Sequence, residues 1–256
     1  MADIAGACSI EGIKGSKTPF RENIQLLRDI QGQKDCAENL SRLLDESEIM
    51  FSHSHCSKVQ DPYSFRCMPQ VHGAARETFL QFHRIVTAEI NAGTDNPLVF
   101  VETKEILSGG NFHGQMIALW LDFIAIATAE LANISERRIE HLLNPALSGL
   151  PPFLTKHSGL NSGMMIVQVA AASLVNENKV FCHPASSDSI PSSANKEDHV
   201  SMGMTSARKL MTIIENVETV LAMELLCSTQ AINFLEPLHP SKAVRKAHDT
   251  IRKDVP

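Results

Sequence analysis

Proline placement constrains the fold of this 256-residue chain more than any other feature. None of its 12 prolines lies between Pro97 and Pro145, and none lies between Pro191 and Pro237. A proline inside a helix costs about 3 kcal/mol, because it lacks an amide proton and clashes with the preceding turn. Both intervals are therefore free to form unusually long helices.

Apolar residues recur at steps of three and four inside both intervals, which predicts helices over 113–143 and 197–235. Similar patterns predict helices over 70–92 and 162–181, and a weaker one over 37–51. Thirty-odd helical residues span about 50 Å, which favours a long bundle. Strand signals are limited to 98–101 and 105–107, enough for one small hairpin. The prediction is a single all-α unit over residues 1–256, with a helical core at 70–235.

Charge and composition exclude several classes of protein. The chain has 23 Lys and Arg against 29 Asp and Glu, a net charge of −6, and no basic run that would suggest nucleic-acid binding. The most apolar stretch, 116–131, contains Asp122 and Glu130, so no membrane span is expected. The N-terminus has no signal-peptide pattern, and the six cysteines are scattered without a CxxC pair. These features predict a cytoplasmic protein with reduced thiols.

Common cofactor motifs are absent from the sequence. There is no GxGxxG, P-loop or GxSxG motif, so a nucleotide enzyme or a serine hydrolase is not supported. His53, His55 and Cys56 form one potential metal-binding cluster, but no second ligand group follows at a suitable spacing. We therefore expect no metal and no nucleotide cofactor.

The loops between the helices carry the reactive side chains. Tyr63, the only tyrosine, lies three residues before Arg66. An arginine can bind a carboxylate through two parallel hydrogen bonds, and a tyrosine hydroxyl can act as a general acid or base. Gln60 adds an amide that can orient a carbonyl group or a water. Glu197 lies at the predicted start of the longest helix, where either helix capping or ligand binding would explain it.

Six motifs in these loops resemble the aromatic amino acid ammonia-lyase family in order and spacing. They are 60–70 (QDPYSFRCMPQ), 94–97 (TDNP), 108–113 (SGGNFH), 135–138 (SERR), 159–163 (GLNSG) and 197–203 (EDHVSMG). The resemblance covers nearly the whole chain from about residue 3. It implies the all-α bundle of the ammonia-lyase and fumarase–aspartase type.

The resemblance also implies a chemistry. The family removes ammonia from α-amino acids with a methylidene-imidazolone electrophile, which forms autocatalytically from an internal Ala-Ser-Gly. Arg66 would bind the substrate carboxylate, and Tyr63 would assist proton transfer at the reacting centre. Gln60 would form hydrogen bonds near the prosthetic ring or the substrate, and Phe112 would pack against either of them.

Glu197 distinguishes the substrate within this family. The phenylalanine and tyrosine lyases that the chain resembles carry a glutamine at the matching place. A carboxylate suits an imidazole, because it accepts a hydrogen bond from the ring or pairs with an imidazolium. The resemblance therefore implies L-histidine as substrate, with trans-urocanate and ammonia as products of histidine degradation.

One departure from the family pattern is clear. The sequence contains no Ala-Ser-Gly tripeptide. We therefore expect the chain to correspond to the C-terminal half of a family member, inactive alone, with sites shared between the subunits of a tetramer. Its partner would be an N-terminal half or full-length lyase subunits. Three alternatives remain: a non-catalytic helical subunit that associates with full-length lyase, a lyase for another aromatic amino acid, and an unrelated bundle.

Overall fold

The structure, a computed structural model, describes residues 1–56 and 58–255. Long helices dominate it. The α-helices are α1 (Ala2–Gly12), α2 (Glu22–Gln25), α3 (Gln31–Leu43), α4 (Glu48–Ser52), α5 (Tyr63–Arg66), α6 (Met68–Ile90), α7 (Gln115–Leu143), α8 (Pro145–Ser148), α9 (Met165–Phe181), α10 (Gly203–Asn233) and α11 (Lys242–Arg252). Strands β1 (Leu98–Phe100) and β2 (Glu105–Leu107) form an antiparallel hairpin, and single turns of 3₁₀ helix occur at Thr18–Phe20, Pro152–Leu154 and Ser193–Asn195.

The prediction of an all-α long-helix bundle is confirmed. Four predicted helices appear as α6, α7, α9 and α10, and the hairpin also forms. The prediction of one helix over 37–51 is wrong, because α3 ends at Leu43 and a new helix, α4, begins at Glu48. Ser47 caps α4 by accepting a hydrogen bond from the Met50 amide. The helix predicted over 197–235 begins only at Gly203. Ser193, Ala194, Asn195 and Met202 all have left-handed φ angles near +50° to +64°, which a continuous helix does not allow.

The two longest helices, α7 and α10, run in parallel through the centre. A side chain built on Gly203 would touch Ala118 near the start of α7, while Glu224 meets Arg138 near its end. α6 and α9 flank this pair and run in the opposite direction. The loops at the two ends of the bundle are therefore held far apart by rigid helices.

The N-terminal helix α1 also belongs to the core, although it lies outside the predicted range 70–235. Ala5, Ala7, Cys8 and Ile10 are fully buried. Because α1 is buried on all sides, its sequence has no polar face, and helical periodicity could not reveal it.

α3 and α6 cross at two glycines. A Cβ atom on Gly73 would lie 2.6 Å from the backbone N and Cα of Gln33, and one on Gly32 would lie 2.6 Å from the Gly73 carbonyl oxygen. Real Cβ atoms do not come that close to backbone atoms. The crossing distance of these two helices therefore depends on glycine at both positions.

α7 has the length and composition of a helix that could cross a membrane. Core helices of soluble proteins pass the same criterion. In this chain α7 lies at the centre of the bundle and buries polar groups, including Asp122, Ser135, Glu136 and Arg138. Part of its apolar surface packs against α6, α9 and α10, whereas other apolar side chains, among them Met116 and Phe123, are exposed.

The described chain exposes more surface than a compact monomer. Its accessible area is 14677 Å² for a mass of 28.1 kDa, whereas a folded monomer of that mass exposes about 11,000 Å². Much of the excess is apolar: the exposed side chains include Leu80, Phe123, Ile166, Val180 and Met211. Apolar surface of this extent is typical of a face that another polypeptide covers.

Gly73→Ala should destabilise the chain by about 1–3 kcal/mol, because the added methyl group pushes α3 and α6 apart. Urea denaturation of both proteins measures the effect. Gly93→Ala is the matched control, since a methyl group there would meet only Leu98 at 3.8 Å. Equal unfolding midpoints for Gly73→Ala and the control would show that the crossing does not need glycine.

Glu11 is a fully buried carboxyl group that joins three helices. It accepts hydrogen bonds from the Ser47 hydroxyl and from the Ser241 amide, both at 3.0 Å. Ser47 and Ser241 are the N-caps of α4 and α11. Burial raises the pKa of Glu11 from 4.5 to about 7, against the opposing effect of these hydrogen bonds.

This raised pKa predicts a pH-dependent stability. Between about pH 4.5 and 7 the folded chain binds more protons at Glu11 than the unfolded chain, so the stability falls as the pH rises through that window. The full effect is about 3 kcal/mol. Glu11→Gln should remove it, so thermal melts at pH 5 and pH 8 should differ less for the variant than for the parent. The same pH dependence in both proteins would contradict the prediction.

Candidate active site

Tyr63 and Arg66 form one side of a single helical turn, α5, just before α6. The Arg66 guanidinium carbon lies 4.6 Å from the centre of the Tyr63 ring. Tyr63 is 71% exposed. The Arg66 side chain makes no hydrogen bond or ion pair with any described residue, and its Nε is buried without a partner. A buried guanidinium N–H that is unpaired is costly, so this arginine is suited to an incoming anion.

Gln60 lies three residues before Tyr63 and opens onto a cavity of about 610 Å³. Lys14, Lys17 and Asp61 also line that cavity, whereas Tyr63 and Arg66 do not. Asp61 fixes the segment, because its carboxylate accepts from the Ser16 amide at 2.6 Å. The structure thus places Gln60 at the same end of the bundle as the Tyr63–Arg66 turn.

Phe112 and Glu197 lie in two loops that meet at the other end. The rings of His113 and His199, their near neighbours in sequence, stack with centroids 5.3 Å apart. His113 Nε2 also lies 3.2 Å from the His199 carbonyl oxygen. Phe112 is 57% exposed, and Glu197 is exposed as well.

Glu197 does not start a helix, which corrects the position predicted for it. It lies six residues before α10, and its backbone pairs with Ser192 in a short antiparallel bridge. The Ser192 hydroxyl donates to Glu197 Oε2 at 2.5 Å. Hydrogen bonds from Ser192 and Ser193 lower the pKa of Glu197, so this carboxylate is charged at neutral pH.

The loop that carries Glu197 is anchored to the bundle by Asp122 of α7. Asp122 Oδ2 accepts from the Ser186 amide at 2.8 Å, and Oδ1 lies 3.4 Å from Lys209 Nζ of α10. Lys209 also donates to the His183 carbonyl. Burial would raise the pKa of Asp122, but the Ser186 hydrogen bonds and Lys209 outweigh it and lower the pKa. The loop thus begins at a charged clamp between the two central helices.

The two groups of candidate residues lie too far apart to form one site in one chain. Phe112 precedes Gly114, the N-cap of α7, whereas the Tyr63–Arg66 turn touches Arg138 on the same helix. At about 1.5 Å per residue, the 24 positions between Gly114 and Arg138 span about 36 Å. An amino acid is much shorter than this separation. Each group can therefore supply only part of a site for an amino-acid ligand.

Three potential metal ligands, Asp3, Cys36 and His72, lie within 4.8 Å of one another in the core. Hydrogen bonds account for the arrangement. Asp3 Oδ1 accepts from Cys36 Sγ at 3.2 Å and from His72 Nδ1 at 2.7 Å, while Oδ2 accepts from Asn39 and Arg76. Burial would raise the pKa of Asp3, but the bond and charge of His72 together with Asn39 and Arg76 hold it well below its usual range.

Arg76 already supplies a positive charge to the Asp3 carboxylate, and the hydrogen bonds of this cluster join α1, α3 and α6. His53, from the cluster considered in the sequence, has both ring nitrogens within 2.9 Å of backbone carbonyl oxygens. The absence of a metal site stays a prediction.

Sequence reasoning did not find several residues that hold the site. Arg138 and Glu224 support the Tyr63–Arg66 turn, and Asp122 and Lys209 hold the Glu197 loop. One signal was available: Asp122 is a charged residue within the apolar stretch 116–131 of α7. Such residues are buried only where a partner neutralises them, but the identity of that partner depends on the fold.

Comparison with known proteins identifies the family. The model of the aromatic amino acid lyase family matches residues 1–253. The chain belongs to this family, whose members include ammonia-lyases.

The chain is also similar to individual members. It is 57% identical over 258 residues to the histidine ammonia-lyase of Anaeromyxobacter dehalogenans (strain 2CP-C), which covers 100% of this chain and 51% of that protein. Histidine ammonia-lyase from Trypanosoma cruzi superposes with a TM-score of 0.91 at 48% identity, covering 100% of this chain and 48% of the other. Tyrosine aminomutase from Streptomyces globisporus superposes with a TM-score of 0.92 at 37% identity, covering 100% and 52%. The chain thus spans about half the length of the relatives it matches.

Asp122→Ala should loosen the loop that carries Glu197, because Ser186 loses its acceptor and Lys209 loses its ion pair. We expect hydrogen exchange in residues 186–200 to accelerate about tenfold or more. Glu130→Ala is the control on the same helix, since Glu130 is exposed and, among the described residues, its side chain accepts only from Asn133. Unchanged exchange in Asp122→Ala would show that the clamp does not hold the loop.

Proposed function

We propose that this chain is part of a histidine ammonia-lyase, which converts L-histidine to trans-urocanate and ammonia in histidine degradation. One observation carries the proposal: relatives named histidine ammonia-lyase match the whole chain at 52–58% identity. The free arginine at one end of the bundle and the charged Glu197 at the other support it, since histidine presents a carboxylate and an imidazole.

Arg66 is proposed to bind the substrate carboxylate. Its guanidinium has no described partner, and stacking on Tyr63 limits its orientation. A planar fork held in this way can form two parallel hydrogen bonds with a carboxylate. Tyr63, exposed beside it, is then placed near the Cα and Cβ atoms, where its hydroxyl can take or give a proton.

Glu197 is proposed to select histidine. Its lowered pKa keeps the side chain anionic, and its Oε2 already accepts from Ser192. The free oxygen can accept a hydrogen bond from a ring N–H or pair with the imidazolium. Phe112, in the adjoining loop, offers an exposed ring that can pack against the substrate or the prosthetic group.

The separation of about 36 Å between these groups supports a site built from several chains. In a symmetric oligomer the Tyr63 end of one chain can meet the Glu197 end of another. The exposed apolar helix faces supply a surface for such an assembly, for which we propose the tetramer of the family. The non-catalytic alternative, a helical subunit that only associates with full-length lyase, uses the same surface.

The methylidene-imidazolone group would come from outside the present sequence, which contains no Ala-Ser-Gly. When bound, it supplies the electrophile that helps the amino group leave. The residues present fit the substrate-facing part of such a site, because Tyr63 is exposed beside Arg66, whose buried Nε has no described partner. Gln60 is proposed to donate a hydrogen bond near that group or the substrate. Six free cysteines among the described residues support a cytoplasmic location.

The test is co-expression of this chain with the N-terminal half of a histidine ammonia-lyase, followed by a urocanate absorbance assay. We expect urocanate from the combined protein and none from this chain alone. Phenylalanine and tyrosine serve as the competing substrates. A combined, correctly assembled protein without activity on histidine would favour the non-catalytic alternative, and activity on only the other amino acids would favour a different lyase.

Glu197→Gln in the combined enzyme should lower kcat/KM for histidine about 100-fold or more, because a neutral amide replaces the carboxylate that is proposed to bind the imidazole. Glu218→Gln is the matched control, since Glu218 is exposed on α10 outside both loops. Equal histidine turnover in the two variants would show that Glu197 does not take part in the site.

A further inference from the structure

A fully buried ion pair joins the two central helices beneath the Tyr63–Arg66 turn. Arg138 of α7 donates from Nε to Glu224 Oε1 at 2.5 Å and from Nη2 to Oε2 at 2.8 Å. Both side chains have no exposed area. The hydroxyls of Ser9 and Ser135 each donate to Glu224 at 2.6 Å, so the carboxylate accepts four hydrogen bonds.

The third nitrogen of this guanidinium, Nη1, takes no part in the ion pair and instead contacts the Tyr63–Arg66 turn. Arg138 Nη1 donates to the Ser64 carbonyl oxygen at 3.2 Å. Ser64 lies between Tyr63 and Arg66. A helix of one turn leaves its last carbonyl groups without helical partners, and Arg138 supplies the partner for this one.

Stability alone does not explain a buried pair of this kind. Removing two charges from water costs several kcal/mol, and apolar side chains of similar size often fill the same space equally well. A planar guanidinium held along one edge by two hydrogen bonds to Glu224 cannot rotate without breaking them. The direction of its Nη1–H bond is therefore fixed by α7 and α10. The hydrogen bond from Nη1 then fixes the orientation of the Ser64 carbonyl group.

We propose that Arg138, held in place by Glu224, is a positioning residue for Tyr63 and Arg66. It orients the α5 turn through the Ser64 carbonyl, so that the Tyr63 ring and the Arg66 guanidinium keep the geometry in which they meet the substrate. The catalytic consequence rests on the proposed function, whereas the positioning of the turn can be measured without it.

The single tyrosine of the chain provides that measurement. Incorporation of 3-fluorotyrosine places a single ¹⁹F label in the chain, at Tyr63. The shift and width of its NMR resonance report the surroundings and the motion of that ring. A fixed turn gives one narrow resonance in the parent chain.

Two variants remove the contact to Ser64 in different ways. Arg138→Lys keeps a charge for Glu224, but a single ammonium group cannot replace the three-way guanidinium bridge. The double variant Arg138→Met with Glu224→Gln removes both buried charges and keeps an oxygen acceptor for the serines, so it is expected to fold. Circular dichroism and thermal melts verify folding.

Lys209→Gln is the control, because it breaks the other α7–α10 ion pair, at the far end of the bundle.

Both Arg138 variants should shift or broaden the Tyr63 resonance, and Lys209→Gln should leave it unchanged. A Tyr63 resonance of parental shift and width in a folded Arg138 variant would overturn the proposal. So would an equal change in the control, because the effect would then be a general loosening of the bundle.

The enzymatic arm uses the chain combined with the N-terminal half. A merely destabilised enzyme contains fewer active sites, so kcat falls and KM stays constant. Displacement of Arg66 weakens carboxylate binding, so Arg138→Lys should raise KM for histidine about tenfold or more. An unchanged KM would contradict a role for Arg138 in the site. If the parent combination produces no urocanate, the proposed function fails, and the ¹⁹F result still decides the positioning.

Discussion

The buried pair between Arg138 and Glu224 is the interaction on which most of the structure depends. It joins α7 to α10 at a point where α1 and the Tyr63–Arg66 turn also meet, through Ser9 and the Ser64 carbonyl. Two buried charges tolerate little displacement, because each would lose the opposite charge that compensates for its removal from water. The two helices are therefore held in one axial alignment, and this alignment fixes the positions of the loops at their ends.

This alignment accounts for the arrangement of the candidate residues. Parallel α7 and α10 carry the Phe112 and Glu197 loops at their N-terminal ends and the support for Tyr63 and Arg66 near the other end. The helices are too long for the two groups to meet within one chain. The apolar faces left open on α7, α9 and α10 show where further polypeptide can pack. The same geometry thus explains both the divided site and the excess of exposed surface.

Particular residues show how far sequence reasoning reached. Tyr63 and Arg66 lie three residues apart, so they share a face only if the segment is helical, and the single turn α5 brings the guanidinium against the ring. Glu197 was assigned to the start of α10, and that position was wrong. The left-handed backbone at Ser193–Asn195 and Met202 excludes a helix at Glu197, and the loop is anchored by Asp122 and Lys209, which are distant in sequence. α1 escaped detection because a helix buried on all sides has no amphipathic pattern.

By itself, the sequence determined the all-α class, the long helices, the small hairpin and the loops that hold the reactive side chains. Proline positions, helical periodicity and ordered motifs are all read within short windows of the chain. Only the tertiary structure decided which charges are buried together, how α7 and α10 are aligned, and that Tyr63 and Glu197 lie at opposite ends of the bundle. The reason is physical: the partner of a buried charge and the direction of a helix are set by contacts between residues far apart in the chain, and no local pattern encodes those distances.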